Sequence, residues 1–250
     1  MKKFIIRADD LGYSEGVNCG IAKSAIHGLV GSIGVMPNMP SVEHGLKLLE
    51  GHKFCLGLHA NICVGKPITD PKKIPSLVNE KGEFKSSHEY RTAKEDFVNL
   101  DEVIMEIEAQ YKRFVELTGQ QPRYLDGHAV MSNNFFKGLE IVAKEHGVKY
   151  SGVTFDGTPI RIGNTDVHIC KMKSMLPDYD AEQAIREAVE SAEEGSTNLY
   201  VCHPGYLDEY ILTHSSMARA RAKEVAMLCN PYIKEMLDEA GVVCITYDDL

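Results

Sequence analysis

The chain lacks the features that mark several large classes of protein. No apolar run among its 250 residues approaches the ~18 needed to span a bilayer, so no membrane partner is expected. Lys and Arg total 27 against 36 Asp and Glu, giving a net charge of -9, and no basic stripe interrupts that balance. A nucleic-acid surface is therefore excluded, and a small molecule becomes the expected partner. The seven cysteines (19, 55, 63, 170, 202, 229 and 244) contain no CxxC pair, and several sit in apolar runs such as FCLGL, YVCHPG and VVCITY. With no secretory apolar segment after Met1, they read as buried, reduced thiols of a cytoplasmic protein.

What the chain does have is an ordinary globular composition, 44% hydrophobic and 25% charged. Short apolar runs alternate with amphipathic stretches from end to end. The pattern predicts strands over 3–8, 31–37, 54–60, 123–127, 149–154, 167–172, 198–203 and 242–246. Between them, segments such as LDEVIMEIEAQYKRFVELTG and FFKGLEIVAKEHG carry apolar residues at helical spacing and close with Gly. SSMARARAKEVAMLCNPYIKEMLDEAG reads the same way, as one more such segment. This is the α/β pattern of a single (β/α) barrel of seven or eight mainly parallel strands, with residues 1–250 as one domain. Residues 64–100 depart from it, with three prolines and little helical period, and read as an irregular loop region over a site.

Chemistry gathers where the predicted strands end. FIIRADD closes an apolar run on two adjacent carboxylates, Asp9 and Asp10. Asp is also a preferred helix N-cap, so the doublet alone leaves capping and catalysis both open. FCLGLHAN ends on His59, RYLDGH on Asp126 and His128, and LYVCHPG on His203. In α/β sheets the C-terminal strand ends share one rim, where sites are built. One Asp and two neutral imidazoles make a facial donor set for a divalent ion, with a neighbouring carboxylate as base and a histidine as acid. Arg7 lies two residues before Asp9 and points to the same side, either to hold Asp9 ionised or to grip an anionic group of a substrate. Among the other histidines, His27, His44, His52 and His146 fall near helix ends, His88 in the irregular region and His168 in a strand. His214, in YILTHSSMARAR, is placed to reach a ligand.

Four stretches, IIRADDLGYSEGVNCGI, LGLHANICVGKP, PRYLDGHAV and CHPGYLD, together resemble the YdjC-like carbohydrate deacetylases, the group that includes the chitooligosaccharide deacetylases. The resemblance runs in order over nearly the whole chain. It implies a barrel of the glycoside hydrolase and deacetylase type that removes acetyl groups from N-acetylated amino sugars or short oligosaccharides. It also implies a divalent metal, Mg²⁺ first, with Zn²⁺, Mn²⁺ and Co²⁺ compatible. Carried over, Asp9 is the expected base, Asp10, His59 and His128 the metal ligands, and His203 the acid or oxyanion partner. Arg7, Asn61 and His214 form the expected substrate-binding set.

Two departures from that family bear on substrate choice. RADDLG stands where NADDFG is usual, and Ala129 to Asn133 replace a further histidine run after DGH. Arg219 and Glu224 also resemble charged family positions, but their helical setting reads as solvated or structural, outside the site. The alternatives are a metal hydrolase of a non-sugar amide or ester and a non-catalytic sugar-binding regulator. A homodimer paired through outer helices is the expected assembly.

Overall fold

Side-chain alternation along the first strand sets the architecture. Phe4, Ile6 and Ala8 join the core beneath the helices, whereas Ile5 joins a second cluster inside the curved sheet. A computed structural model describes residues 1–154 and 156–250. In chain order the elements are β1 (Lys2–Leu11), α1 (Glu15–Ile26), β2 (Ser32–Val35), α2 (Val42–Leu48), β3 (Cys55–Ala60), α3 (Ser87–Thr92), α4 (Leu100–Thr118), β4 (Tyr124–Gly127) and α5 (Asn133–Glu145). They continue with β5 (Lys149–Tyr150), β6 (Ile160–Ile162), β7 (Thr165–Ile169), α6 (Ala181–Ser191), β8 (Thr197–Cys202), α7 (Glu209–His214), α8 (Arg219–Leu228), α9 (Pro231–Glu239) and β9 (Val242–Ile245).

The sheet order is β5-β4-β3-β2-β1-β8-β7-β6, and β9 pairs with β1 from Lys2 to Ile5, leaving β2 to pair with β1 from Arg7 onward. Every pairing among these strands is parallel except β6 with β7. The two ends of the sheet approach each other. A Cβ placed on Gly163, in the β6–β7 turn, would lie 3.7 Å from Lys149 Cε on β5 and 3.8 Å from the backbone of Leu250. The result is a nearly closed (β/α) barrel of eight mostly parallel strands.

Several expectations change in detail. β5 is two residues long where 149–154 was expected, and β6 was not foreseen. β6 and β7 form a hairpin around the two-residue turn Gly163–Asn164, with Gly163 at φ 57°. The segment expected as one helix over 215–241 divides into α8 and α9, because Pro231 starts a new helix whose Tyr232 N–H is capped by Asn230. The cysteines are unpaired, as read, but Cys19 and Cys244 are exposed rather than buried.

Residues 64–100 are largely irregular, with α3 as their one α-helix. They are pinned to the barrel by Glu106 on α4. This fully buried carboxylate accepts the N–H groups of Ile68 and Thr69, at 3.1 and 2.9 Å.

Candidate active site

The barrel interior has two layers. The lower one is apolar, with Ile5, Cys55, Tyr124, Ile162, Val167 and Leu199 closing around Tyr247. Inward-facing glycines make room for the bulky members. A Cβ on Gly57 would lie 2.2 Å from the Tyr124 ring, and one on Gly34 would lie 2.7 Å from Asp9 Oδ1. The upper layer, formed by later inward residues of β1, β3 and β4, is ionic.

Arg7 organises that layer. Its Nη2 lies 2.8 Å from Asp9 Oδ2 and 2.8 Å from Asp126 Oδ2, while Nη1 donates to Tyr247 Oη at 2.9 Å and Ser151 Oγ at 3.3 Å. Burial works against the guanidinium charge, but Asp126 and Asp9 more than restore it, so Arg7 stays firmly protonated. Of the two roles open to Arg7 in the sequence, the structure shows the ion pair. Both of its terminal nitrogens are engaged inside the barrel.

Asp10 belongs to β1 but turns the other way at φ 80°, a left-handed conformation that costs energy for a residue with a side chain. The twist breaks the regular register with β2 between Ala8 and Leu11 and brings both neighbouring carboxylates to the barrel mouth. Asp10 Oδ2 pairs with Arg221 Nη2 at 2.7 Å. Its Oδ1 is sealed from solvent and accepts no hydrogen bond, with His128 Nδ1 at 3.0 Å and His59 Nε2 at 3.4 Å. The two imidazole nitrogens are 3.2 Å apart.

Asp10, His59 and His128 thus offer one oxygen and two nitrogens within 4.8 Å of one another. A buried oxygen without a hydrogen-bond partner, facing two imidazole nitrogens, suits a divalent cation. A second cluster, Asp9, His59 and Asp126, meets the same distance criterion, but its two carboxylates are already paired with Arg7. The first set is therefore the one that fits a metal ion. His59 serves both, because its Nδ1 lies 3.0 Å from each oxygen of Asp126, leaving Nε2 for the ion. This is the carboxylate and histidine arrangement that orients a metal-binding imidazole.

The charges follow from this crowding. Burial disfavours the ionised form of Asp10, yet His128 and Arg221 hold it well below the usual carboxylate range. Burial opposes charge on His59 too, but Asp126 and Asp9 raise it well above an ordinary imidazole, so an incoming cation displaces a proton. Asp9 goes the other way: burial raises it, Arg7 only partly offsets the rise, and its Oδ1 accepts no hydrogen bond.

His203 follows β8 at the same mouth. Its Nδ1 is buried and unpartnered, and burial lowers the imidazole to about 3, so the ring is neutral at ordinary pH. Helix α8 holds this segment. Arg221 Nη1 donates to the His203 carbonyl at 3.4 Å, and Glu224 accepts the His203 backbone N–H and, at 2.9 Å, the Tyr179 hydroxyl. Glu224 is 2% exposed, and burial raises its carboxyl to about 7. Of the solvated and structural roles open to Glu224 in the sequence, the structure shows the structural one, and the buried arginine is Arg221 rather than the exposed Arg219. The signal was present in the sequence: Arg221, Glu224, Val225 and Leu228 occupy the i, i+3, i+4, i+7 stripe of a buried face.

Asn61 does not face the mouth. It is fully buried and holds its own loop, accepting from the Cys63 and Val64 N–H groups and donating to the Val64 carbonyl and Asn38 Oδ1. His214 is exposed at the end of α7 and stacks on Tyr210 with ring centroids 4.1 Å apart. The structure thus brings Asp9, Asp10, His59, His128 and His203 together, gives Arg7 and Asn61 internal partners, and leaves His214 at the rim.

Known proteins share this arrangement of sequence and fold. The crystal structure of an Enterococcus faecalis protein named for cellobiose-phosphate cleavage superposes with a TM-score of 0.83 at 24% identity, covering 99% of this chain and 98% of its own. A family 4 acetyl xylan esterase from Clostridium thermocellum, solved with a cobalt ion, shares the fold at a TM-score of 0.51 and 12% identity, over 99% of this chain and 89% of its own. A carbohydrate deacetylase from Geobacillus stearothermophilus is 31% identical over 97% of this chain and 96% of its own. A chitooligosaccharide deacetylase from Serratia marcescens is 30% identical over 100% and 99%. The model of the family described as YdjC-like protein matches residues 3–239, and with relatives of this identity and coverage the chain belongs to the YdjC-like family.

Proposed function

We propose that this protein is a metal-dependent carbohydrate deacetylase that hydrolyses the acetamido group of an N-acetylated amino sugar or short oligosaccharide. The observation that carries the reading is the convergence of Asp10 Oδ1, His59 Nε2 and His128 Nδ1 beside two further unpartnered buried atoms, Asp9 Oδ1 and His203 Nδ1. The names of the relatives supply the substrate class.

Asp10, His59 and His128 would hold the cation, Mg²⁺ in this reading, with Zn²⁺, Mn²⁺ and Co²⁺ suited to the same donors. A divalent ion bound there supplies Lewis-acid polarisation of the acetamide carbonyl and acidifies water. Asp9 is the base: Arg7 fixes its Oδ2, and its raised proton affinity leaves Oδ1 to take the proton of the attacking water. His203 is neutral, so it serves as an N–H hydrogen-bond donor to the developing oxyanion, and the proton that Asp9 takes from the water is the one passed to the departing nitrogen. Glu224 and Arg221 keep the His203 backbone in place while this happens. Arg7 and Asn61 act on substrate only through Asp9 and the 61–64 loop, and His214 is the member of the expected binding set that reaches the rim.

No helix among the described residues is long and apolar enough to cross a membrane. The unpaired cysteines support a cytoplasmic setting for one domain spanning 1–250. Met105 on α4 and Tyr232 on α9, 42% and 70% exposed, support homodimer pairing through the outer helices.

The test is acetate release from N-acetylated sugars, with acyl amino acids and simple esters as competitors, using chelated protein resupplied with single metals. His128→Ala should lower bound metal and rate together, by more than the about 10- to 100-fold that losing an outer partner costs. Hydrolysis of the competitors alone would favour the non-sugar amidase or esterase. Metal binding with no hydrolysis of any substrate would favour a sugar-binding regulator.

A further inference from the structure

Every hydrogen bond that holds His203 is made by its backbone. Among the described residues neither nitrogen of its ring has a hydrogen-bond partner, so the residue is placed by its N–H, which Glu224 accepts, and its carbonyl, which Arg221 reaches. A ring that must meet a developing oxyanion therefore depends on how firmly Glu224 is itself held.

Glu224 is held by two donors. Its Oε2 takes the His203 N–H and its Oε1 takes the Tyr179 hydroxyl at 2.9 Å. Arg221, three residues earlier on α8, does not close on this carboxyl: its guanidinium goes to Asp10 Oδ2 and to the carbonyls of His203 and Met217. Withdrawing the Tyr179 hydroxyl therefore leaves one hydrogen bond, and a carboxyl held at one oxygen is free to turn about it.

Tyr179 is itself clamped. It is 6% exposed and belongs to residues 170–180, which join β7 to α6. Lys223 Nζ donates to its carbonyl at 2.6 Å, and the next residue, Glu224, accepts its hydroxyl. Consecutive residues of α8 thus hold the backbone and the side-chain tip of one tyrosine. Burial of a tyrosine does not by itself require such a partner in this fold, because the hydroxyl of Tyr124, on a fully buried ring, has none.

We propose that Tyr179 is a positioning residue for the hydrolysis: it orients Glu224, Glu224 orients His203, and the segment between β7 and α6 thereby becomes part of the catalytic unit. The proposal rests on the deacetylase reading and deepens it, extending the working parts of the site to a segment in which the sequence pattern marks no chemistry.

The linkage has a spectroscopic signature. Besides Tyr179, the titratable groups that act on Glu224 are Tyr200 and Cys202 on the outer face of β8, Arg221 on its own helix and Asp10 on β1. The Tyr179 hydroxyl donates to the ionised carboxylate and so favours it. Losing that donor should move the titration of Glu224 upward from about 7. The His203 amide, bonded to the other oxygen, reports it.

The experiment compares wild type with Tyr179→Phe, which keeps the ring, in protein loaded with Mg²⁺. Acetate release from N-acetylglucosamine oligomers should show kcat lowered by about three- to tenfold, the net loss of one hydrogen bond, with KM and metal affinity within about twofold of wild type. In ¹⁵N-histidine-labelled protein the His203 amide, identified by its loss in His203→Gln, should titrate with a midpoint near 7 in wild type and higher in Tyr179→Phe. Lys223→Met, at an exposed position, frees only the Tyr179 carbonyl and should lower kcat in the same direction by less, which keeps the test open if Tyr179→Phe folds poorly. An unchanged kcat in both variants, a loss shared equally by kcat and metal affinity, or an unmoved amide midpoint would overturn the proposal. If wild type releases acetate from no sugar, the deacetylase reading is what fails. A raised midpoint in Tyr179→Phe would then still support the link from Tyr179 to His203, and an unmoved one would still overturn it.

Discussion

Ile5 and Arg7 stand two residues apart on β1 and face the same barrel interior, yet their surroundings are opposite. Ile5 packs in the layer of Tyr124, Val167, Leu199 and Tyr247, while Arg7 is clamped between Asp9 and Asp126. The lower layer is a source of stability: it removes apolar surface from water, about 1.5–3 kcal/mol for each large side chain fully buried, and closes the barrel floor. The upper layer is a cost. Three buried carboxylates, Asp9, Asp10 and Asp126, face two guanidiniums, Arg7 and Arg221, leaving one negative charge uncompensated. That surplus is why His59 is driven toward imidazolium, and why a cation can replace the proton. The barrel therefore tolerates its ionic mouth by means of its oily floor, and the functional half is the half poised to bind.

Breaking the ionic layer at its centre should give the largest effect. Arg7→Met conserves much of the volume but leaves Asp9 and Asp126 buried without a cation. The expected cost is about 3–5 kcal/mol, the range for removing one partner of a buried pair. Urea denaturation would show it as a lower midpoint at unchanged slope. An unchanged midpoint would mean that the layer is held by His59 and Tyr247 rather than by Arg7.

The two layers also differed in how readable they were. Each strand that carries chemistry ends an apolar run with a polar cluster, so Asp9, Asp10, His59, His128 and His203 were visible as a set, and strand and helix alternation pointed to the barrel. Amphipathic reasoning assigns charged helix residues to solvent, so it hid Arg221 and Glu224, which hold the site from behind. β6 was lost because a three-residue strand with an exposed Arg161 carries almost no pattern, although the Gly163–Asn164 turn marked it. The internal role of Asn61 was not legible, because the hydrogen bonds its amide makes to the loop it starts form only in the fold.

Glu224 sharpens the comparison through pH. Its carboxyl titrates near 4.5 when unfolded and near 7 in the fold, so the folded state keeps a proton that the unfolded chain releases. Its contribution to stability is full below pH 4.5 and is lost as pH rises through 7. The swing is at most about 3 kcal/mol. Glu224→Gln can still accept from the His203 N–H, and it has no carboxyl to titrate. The difference in melting temperature between wild type and Glu224→Gln should therefore move in favour of the variant between pH 5 and 8. A difference that stays constant over that range would show that Glu224 is ionised throughout in the fold, satisfied by Tyr179 and the His203 amide.

The smallest effect is the most discriminating, because it matches two losses of stability and separates them by rate. Ile5→Val removes one methylene from the lower layer and should cost about 0.5–1.5 kcal/mol. Tyr247→Phe keeps the ring stacked on Tyr124, 3.8 Å between centroids, but withdraws the hydroxyl that accepts from Arg7 Nη1 at 2.9 Å. A hydrogen bond to a charged group is worth about 1.5–3 kcal/mol, and Ser151, 3.3 Å from the same nitrogen, offsets part of it. The two variants should thus lie close in stability. They should part in activity: loosening Arg7 loosens Asp9, so Tyr247→Phe should lower kcat several-fold with little change in KM, while Ile5→Val leaves both near wild type. Restoring the rate requires a group that fixes Arg7, so a change confined to the lower layer should not rescue Tyr247→Phe. Equal kcat losses in the two variants would mean that the floor and the mouth of the barrel act as one cooperative unit, and that Arg7 transmits packing rather than charge.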